Sequence, residues 1–458
     1  MLLELIRKEI TVNVLSFRFI ITFVLFFGLI LVSTFVLTSD YKLRLQAYET
    51  SRSAHRDALS KIKAIEGKNQ QVDELIFNQG VYADLKPQPL AIFVRGLEAN
   101  LPTQVHTARF NSRKIDEDFY HNPFFALFAT PDYGYIVNIV VSLLALLFVF
   151  DAICGEKERG TLKVMLANSV PRDLIILSKW IGGYLCLVLP FLVALLAGVA
   201  FVRLSGAVGL DGEALERLFW IAGVSLLYIS LFFTLGLFIS ALTHRAATAL
   251  IISLFVWICS ILVVPNLAPV IGRIVAPVPT LQKIEAEKEA VDQETLLRIQ
   301  RVSRTMLGYG KKAEKLREEI EQEGENRKDK LDHFYAEEIK LQIAISQTLS
   351  RISPSASFRY ATTELARTGS GLFLHFKTAY KRFQQRFEDY AEDVDDRRDN
   401  DRLNDDWLQV DEIPKLKFFA ARLDDTLGAI SIDLLLMGIY NVVFFMGAYA
   451  FFLRYDVT

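Results

Sequence analysis

Cysteine is scarce, with three in 458 residues, and Cys154, Cys186 and Cys259 all lie within or at the edge of apolar blocks. The long polar stretches carry none, so they fold on packing or against partners instead of on disulfides. An excess of one charge is also lacking. Lys plus Arg number 51 against 53 Asp plus Glu, and a nucleic-acid partner, which calls for a basic surface, is set aside. The sequence has no His-Glu-x-x-His metal helix, no Gly-x-Ser-x-Gly elbow and no Cys-x-x-Cys pair. Its six histidines, among them His55, His106, His121 and His333, are dispersed and read as lone surface residues, with no metal site implied.

Long apolar runs are what the chain does have. Hydrophobic residues make up 52% of it and gather into blocks nearly free of charge, at 19–37, 135–152, 180–202, 218–242, 246–264 and 430–453. About 20 helical residues cross a hydrocarbon core, so each block predicts a membrane-spanning helix. Before the first, Leu2, Ile6, Ile10 and Val14 share a helical stripe, with Glu4, Arg7, Lys8, Glu9 and Asn13 elsewhere, as in an amphipathic helix lying on the membrane surface. The first block lacks a small-x-small cleavage pattern and reads as a retained anchor.

The fold class predicted is an all-α membrane protein with six transmembrane helices and two large, mainly helical extracytoplasmic insertions. Residues 1–38 form the surface helix and first span, 39–133 the first insertion, 134–272 spans two to five, 273–429 the second insertion, and 430–458 the last span with a short tail. Arg7, Lys8, Arg18, Lys157, Arg159, Lys163, Arg172, Lys179, Arg245 and Arg454 flank the spans on one side, which the positive-inside rule assigns to the cytoplasm together with both termini.

In the first insertion a polar helix near 41–65 gives way to irregular chain around Pro87, Pro89, Pro102 and Pro131. In the second, Leu296, Ile299, Val302 and Met306 follow helical spacing, as do Leu341, Ile345, Leu349 and Ile352, and Phe376, Tyr380, Phe383, Phe387 and Tyr390. Such stripes read as inward faces of helical hairpins, with docking of an outside protein as the alternative. The acidic run 392–406 lacks the glycine a calcium loop needs and reads as a solvated linker. Inside the spans, Asn138, Gly182, Gly183, Pro190, Tyr440, Asn441 and Gly447 read as close-packing positions, while Asp151 and Asp433 sit near the edges. With almost no ionisable group at mid-depth, a proton-coupled carrier is disfavoured and an external energy source favoured.

The stretch 153–179 stands apart. Gly155 and Gly160 have the spacing of a phosphate-binding loop, but Thr161-Leu162 replaces Lys-Ser/Thr, and Glu156 and Glu158 would repel phosphate, so no nucleotide binds here directly. Asp151-x4-Glu156-x-Glu158-x-Gly160-Thr161-Leu162, a short helix, then Pro171-Arg172 leading into the next span, resembles type-2 ATP-binding-cassette permeases. The resemblance covers the spans and this connection, about half the chain. It implies a non-catalytic permease subunit in a bacterial inner membrane, paired with itself or a similar chain and driven by ATP hydrolysed on a separate cytosolic nucleotide-binding subunit. That subunit would meet Glu156, Glu158, Arg159, Gly160 and Thr161, with Pro171 and Arg172 at the mouth of the third span. The large insertions depart from compact members. Pro89-Leu-Ala-Ile-Phe-Val-Arg95-Gly-Leu, Leu101-Pro102 and Asn122-Pro123-Phe-Phe resemble a subgroup with big extracytoplasmic domains, some of gliding-motility or copper-maturation type, which leaves the substrate open. The rival reading is an envelope scaffold or mechanical transmitter that couples a cytosolic ATPase to an outside partner and transports nothing.

Overall fold

A computed structural model of the chain describes residues 1–65, 67–98, 101, 104–109, 131–167, 171–305, 311–400, 412–418 and 421–454. Pro102, the Asn122-Pro123 motif, His121, Met306 and residues 401–406 of the acidic run lie outside the described residues.

Six described helices are long and apolar enough to cross a membrane: α2 (Phe17–Lys63), α4 (Tyr133–Glu158), α6 (Arg172–Leu204), α7 (Gly212–Leu242), α8 (Ala246–Val275) and α13 (Leu423–Leu453). Ahead of them lies α1 (Leu2–Val14). Ser16 caps α2, its Oγ accepting from the Phe19 amide at 3.3 Å. No proline or glycine follows between Leu29 and Lys63 to end the helix, so it runs unbroken for 47 residues, about 70 Å, far past the apolar block. By packing, the chain divides into two compact units, Met1–Trp257 with Ser357–Thr458, and Ile258–Ala356.

In the first unit α7 is central, with 72% of its most apolar stretch buried against 17% for α13. Close approaches are made at glycine: an added Cβ at Gly183 would strike the Phe233 ring, at Gly236 the Val149 side chain, and at Gly447 the Phe238 ring. Polar groups join the same helices. Asn441 Oδ1 lies 3.0 Å from Ser230 Oγ and 2.9 Å from Thr234 Oγ1, Asn441 Nδ2 donates to the Leu227 carbonyl, and Tyr228 OH donates to Asn138 Oδ1 at 2.8 Å. Asp433 is 1% exposed within the chain, so this carboxylate is covered by protein and not open to water as its edge position suggested.

The first part of the polar sequence shares its core with the last. Ile62, Val72 at the end of α3 (Lys68–Val72), Leu75, Ile76, Val81 and Val105 pack with Phe376, Tyr380, Phe383, Phe387 and Tyr390 of α12 (Ser370–Asn400) in one apolar cluster. The aromatic stripe is thus an inward face, as its spacing predicted. Residues 392–400 are not linker but the last turns of α12, with Val394 in this cluster and Asp395 paired to Arg109. A two-stranded ribbon, β1 (Val81–Asp84) against β2 (Gln104–Thr107), completes the domain, antiparallel with Tyr82 opposite His106.

His55 and His106 are correspondingly not lone surface residues. His55 Nδ1 lies 2.9 Å from Asp84 Oδ2, and both imidazoles pack on the Tyr82 ring with centroids 4.5 Å away. Leu90–Val94 are also buried, and beyond them Gly96 takes φ +50, where an added Cβ would collide with the Thr368 carbonyl. Thr368 Oγ1 donates to the Val94 carbonyl at 2.9 Å and the Leu97 amide donates to the Thr368 carbonyl at 2.7 Å.

Just before α12, α11 (Pro354–Leu365) lies beside a span: Phe358 stacks on Tyr228, halfway along α7, with ring centroids 4.3 Å apart. Its last residue meets Arg217, 1% exposed, whose guanidinium donates to the carbonyls of Leu365 and Ala421 and pairs with Glu213. Burial first, and then the Arg217 charge, holds the neighbouring Arg367 guanidinium below its ordinary range, while Glu213 opposes that shift.

The second unit is a helical hairpin. α9 (Leu281–Thr305) and α10 (Lys311–Ser350) run antiparallel in constant register, fixed by pairs Lys288–Asp332, Asp292–Lys328, Glu294–Arg327 and Arg298–Glu323. The register continues along the second half of α8, where Gln342 Nε2 donates to the Ala276 carbonyl and Ser353 Oγ donates to that of Ser260. Two of the sequence stripes are only partly inward here, since Leu296, Leu341 and Ile352 are more than half exposed. A two-helix hairpin has one narrow seam, and residues at its margins stay uncovered.

Candidate functional site: the elbow after the second span

The connection from α4 to α6 is built from a turn, a short helix and a second turn. α4 loosens at 150–153, resumes at Cys154–Glu158, and stops at Gly160, whose φ of +74 turns the chain into α5 (Thr161–Ala167). Residues 168–170 lie outside the described residues, and Pro171 then opens α6.

The charges of this elbow reach, bond by bond, the near end of every other span. Asp151 takes both arms of Arg18, at the start of α2, at 2.8 Å each. Ser240 Oγ, fully buried near the end of α7, accepts from the amides of Ile153 and Cys154 at 3.0 and 3.1 Å. Lys157 Nζ donates to the Ala241 and Thr243 carbonyls and so caps the C-terminal end of α7, where the helix dipole favours a cation. Glu158 Oε2 accepts from the Ala246 amide at 3.0 Å and caps the start of α8, the mirror-image arrangement. Arg172 donates to the Leu453 carbonyl at 2.6 Å and caps the end of α13.

The remaining tie is the most deeply covered. Lys179 of α6 has a side chain 4% exposed, with Nζ 2.7 Å from Glu156 Oε1 and 3.3 Å from Glu9 Oε1 of α1. The other Glu156 oxygen, Oε2, is buried and has no hydrogen-bond partner among the described residues. α1 is seated on α6 at this point, since an added Cβ at Gly182 would meet Glu9 Cβ, and Cys186 Sγ lies against the Ile10 carbonyl. Burying one ammonium between two carboxylates is tolerable because each charge has an opposite partner, and removing the ammonium would strand both.

The predicted site residues therefore divide. Glu156 turns inward to Lys179, Glu158 and Arg172 are exposed or half-exposed helix caps, and Pro171 is exposed ahead of α6. Arg159 and Thr161 are exposed and, among the described residues, their side-chain bonds stay within the elbow, from Arg159 Nε to the Gly155 carbonyl and Thr161 Oγ1 to that of Glu156. Lys163 and Val164 are exposed beside them, Val164 at 64%, while Leu162 is fully covered. Glu9, Ser240 and Lys179 as a linked set escape a reading of sequence. The one available hint was a glutamate next to Ile10 on an otherwise apolar helix flank.

An elbow bonded to the near end of every other span defines a polytopic helical membrane protein. Comparison with known proteins agrees with this class. The family described as ABC-2 family transporter protein matches residues 3–457. A protein of Stutzerimonas stutzeri described as a probable ABC transporter permease protein NosY is 32% identical over 132 residues, 28% of this chain and 46% of that relative. The chain thus matches about half the length of that relative. This chain belongs to the ABC-2 family of transporter proteins, and its six apolar helices make it a multi-pass membrane protein.

Proposed function

We propose that the chain is a permease subunit that moves an unidentified substrate, in the direction of export, with ATP hydrolysed on a separate nucleotide-binding subunit. In this reading it works as a pair, with itself or a similar chain, in a bacterial inner membrane, and the elbow and both termini face the cytoplasm. The observation that carries the reading is the elbow's set of bonds to the near ends of all the other spans. A push delivered there is shared by every helix at once. The exposed Arg159, Thr161, Lys163 and Val164 form the contact for the ATPase, and an exposed valine ringed by two cations fits an apolar groove with an acidic rim. Glu156, Glu158 and Arg172 transmit that contact inward.

The test is affinity purification from mild detergent with identification of bound proteins. A nucleotide-binding subunit is recovered with the unaltered chain and lost with Val164→Glu combined with Lys163→Glu. Recovery of no such subunit with the unaltered chain sinks the reading.

A second reading draws on α2, which continues without a break from its span to Ile62 in the shared core. A helix of that length suits a transmitter that carries elbow motion to an extracytoplasmic protein with no substrate moved. ATP turnover that rises only with such a protein, and never with a small substrate, favours the transmitter.

A further inference from the structure

The ties of the elbow are of two kinds. Those to α2, α7, α8 and α13 are a bidentate ion pair or caps on backbone groups, each with one satisfied geometry. The tie to α1 and α6 differs, because one ammonium donates to two carboxylates on different elements at once, at 2.7 Å to Glu156 and 3.3 Å to Glu9, with Glu156 Oε2 buried and unpartnered among the described residues. A displacement of the elbow or of α1 therefore changes how that one ammonium is shared between Glu156 and Glu9.

We propose that Lys179 is the positioning residue through which displacement of the elbow reaches α1 and α6, its ammonium passing between Glu156 and Glu9 as the elbow moves. The proposal rests on the reading of the elbow as the ATPase contact. Glu156 lies on the elbow, Glu9 on α1 and Lys179 on α6, so one atom, Nζ, is shared by three elements. An elbow shift that lengthens the Glu156 contact strands a buried carboxylate unless Lys179 follows, and following it drags α6. Glu9 Cβ packs on Gly182, which holds the Glu9 carboxylate within reach of Lys179, so the arm from Lys179 to Glu9 is the link by which α1 follows α6. A tie shared by three elements and loaded from the elbow gives coupling between them a contiguous physical path. A mere staple would hold the three elements together equally in every nucleotide state.

Amide hydrogen exchange on the full chain in complex with its ATPase subunit, in lipid nanodiscs, with and without ATP plus vanadate, separates the two. With the unaltered chain, nucleotide changes exchange both in α5 and in α1. With Lys179→Gln the α5 response persists, while the α1 response falls at least about fivefold, the low end of ordinary coupling factors. An α1 response in Lys179→Gln equal to that of the unaltered chain overturns the proposal. Should Lys179→Gln not assemble, Glu9→Gln keeps the Lys179–Glu156 pair and removes only the arm to α1. It is expected to silence α1 and spare α6, and an undiminished α1 response overturns the proposal as well. Absence of an α5 response in the unaltered complex sinks the docking reading, a failure distinct from either.

Discussion

The elbow and the α9–α10 hairpin are both rich in opposite charges, yet they use them in different ways. In the hairpin, Lys288–Asp332, Asp292–Lys328, Glu294–Arg327 and Arg298–Glu323 lie on the surface, with side chains 24–53% exposed, and they mainly set the register of two helices. Water and salt screen such pairs, and each adds little. In the elbow, Lys179 is almost wholly covered and its partners nearly so, and the other charges sit on helix ends. There a charge without its partner has no water to fall back on. Counting ion pairs would rank the two regions alike, whereas burial separates them by several-fold in energy.

The comparison breaks most directly at Lys179. Lys179→Met leaves Glu156 and Glu9 facing each other without a cation, and the expected loss is about 3–5 kcal/mol, as for breaking a buried ion pair. Thermal or SDS unfolding of the detergent-solubilised protein measures it, and a loss below about 1 kcal/mol would show that the carboxylates do not depend on Lys179. The triple variant that also carries Glu156→Gln and Glu9→Gln should regain much of that loss, because it removes the stranded charges.

A loss of similar size, from apolar contacts alone, is expected of Phe383→Ala, about 3–5 kcal/mol from a fully buried ring. Its location sharpens the point about connectivity. Phe383 packs with Ile62, Leu75 and Val81, some three hundred residues earlier in the chain, so the variant should expose the region around the β1–β2 ribbon to protease as much as α12 itself. Protease cleavage confined to α12 would contradict a shared core.

That shared core marks where sequence stops being legible. The six spans could be read because burial in lipid demands unbroken apolar runs, and the aromatic stripe of α12 because a single inward face repeats every three or four residues. Neither pattern says which stripe meets which, and so the polar stretches before α4 and after α8 read as separate insertions. The span at 19–37 and the polar helix near 41–65 read as two pieces of one helix for a related reason. Hydropathy falls at Asp40, but nothing stops the helix there, and hydropathy reports the solvent of a helix, not its length. In the elbow, the motif around Glu156 to Thr161 pointed to the candidate site. The direction in which each charge turns depends on Ser240, Ala246 and Lys179, which are distant in sequence, and Glu156 turns inward although its spacing from Glu158 gave no sign of it.

Smaller effects follow where the partner is a neutral backbone group. Ser240→Ala removes the acceptor of two buried amides, those of Ile153 and Cys154, and about 1–3 kcal/mol is expected. Ser240→Thr, which keeps the hydroxyl, should lose less. Equal losses from the two variants would place the cost in packing instead of in the hydrogen bonds.

At the far end of the scale lies Arg327→Gln in the hairpin. Arg327 meets Glu294 at 2.9 Å, but both side chains are about half exposed, 45% and 51%, so the charges remain hydrated with or without each other. The expected loss is about 0.2–1 kcal/mol, and it should shrink further as salt is raised from 0.1 to about 1 M, where the screening length falls to roughly 3 Å. Lys179→Met should show no such salt dependence, because ions do not enter the covered triad. A hairpin variant as costly as Lys179→Met, or a Lys179 variant that salt rescues, would mean that position relative to water does not set the energy of these pairs, and the distinction between exposed, register-setting charges and buried ones would fail with it.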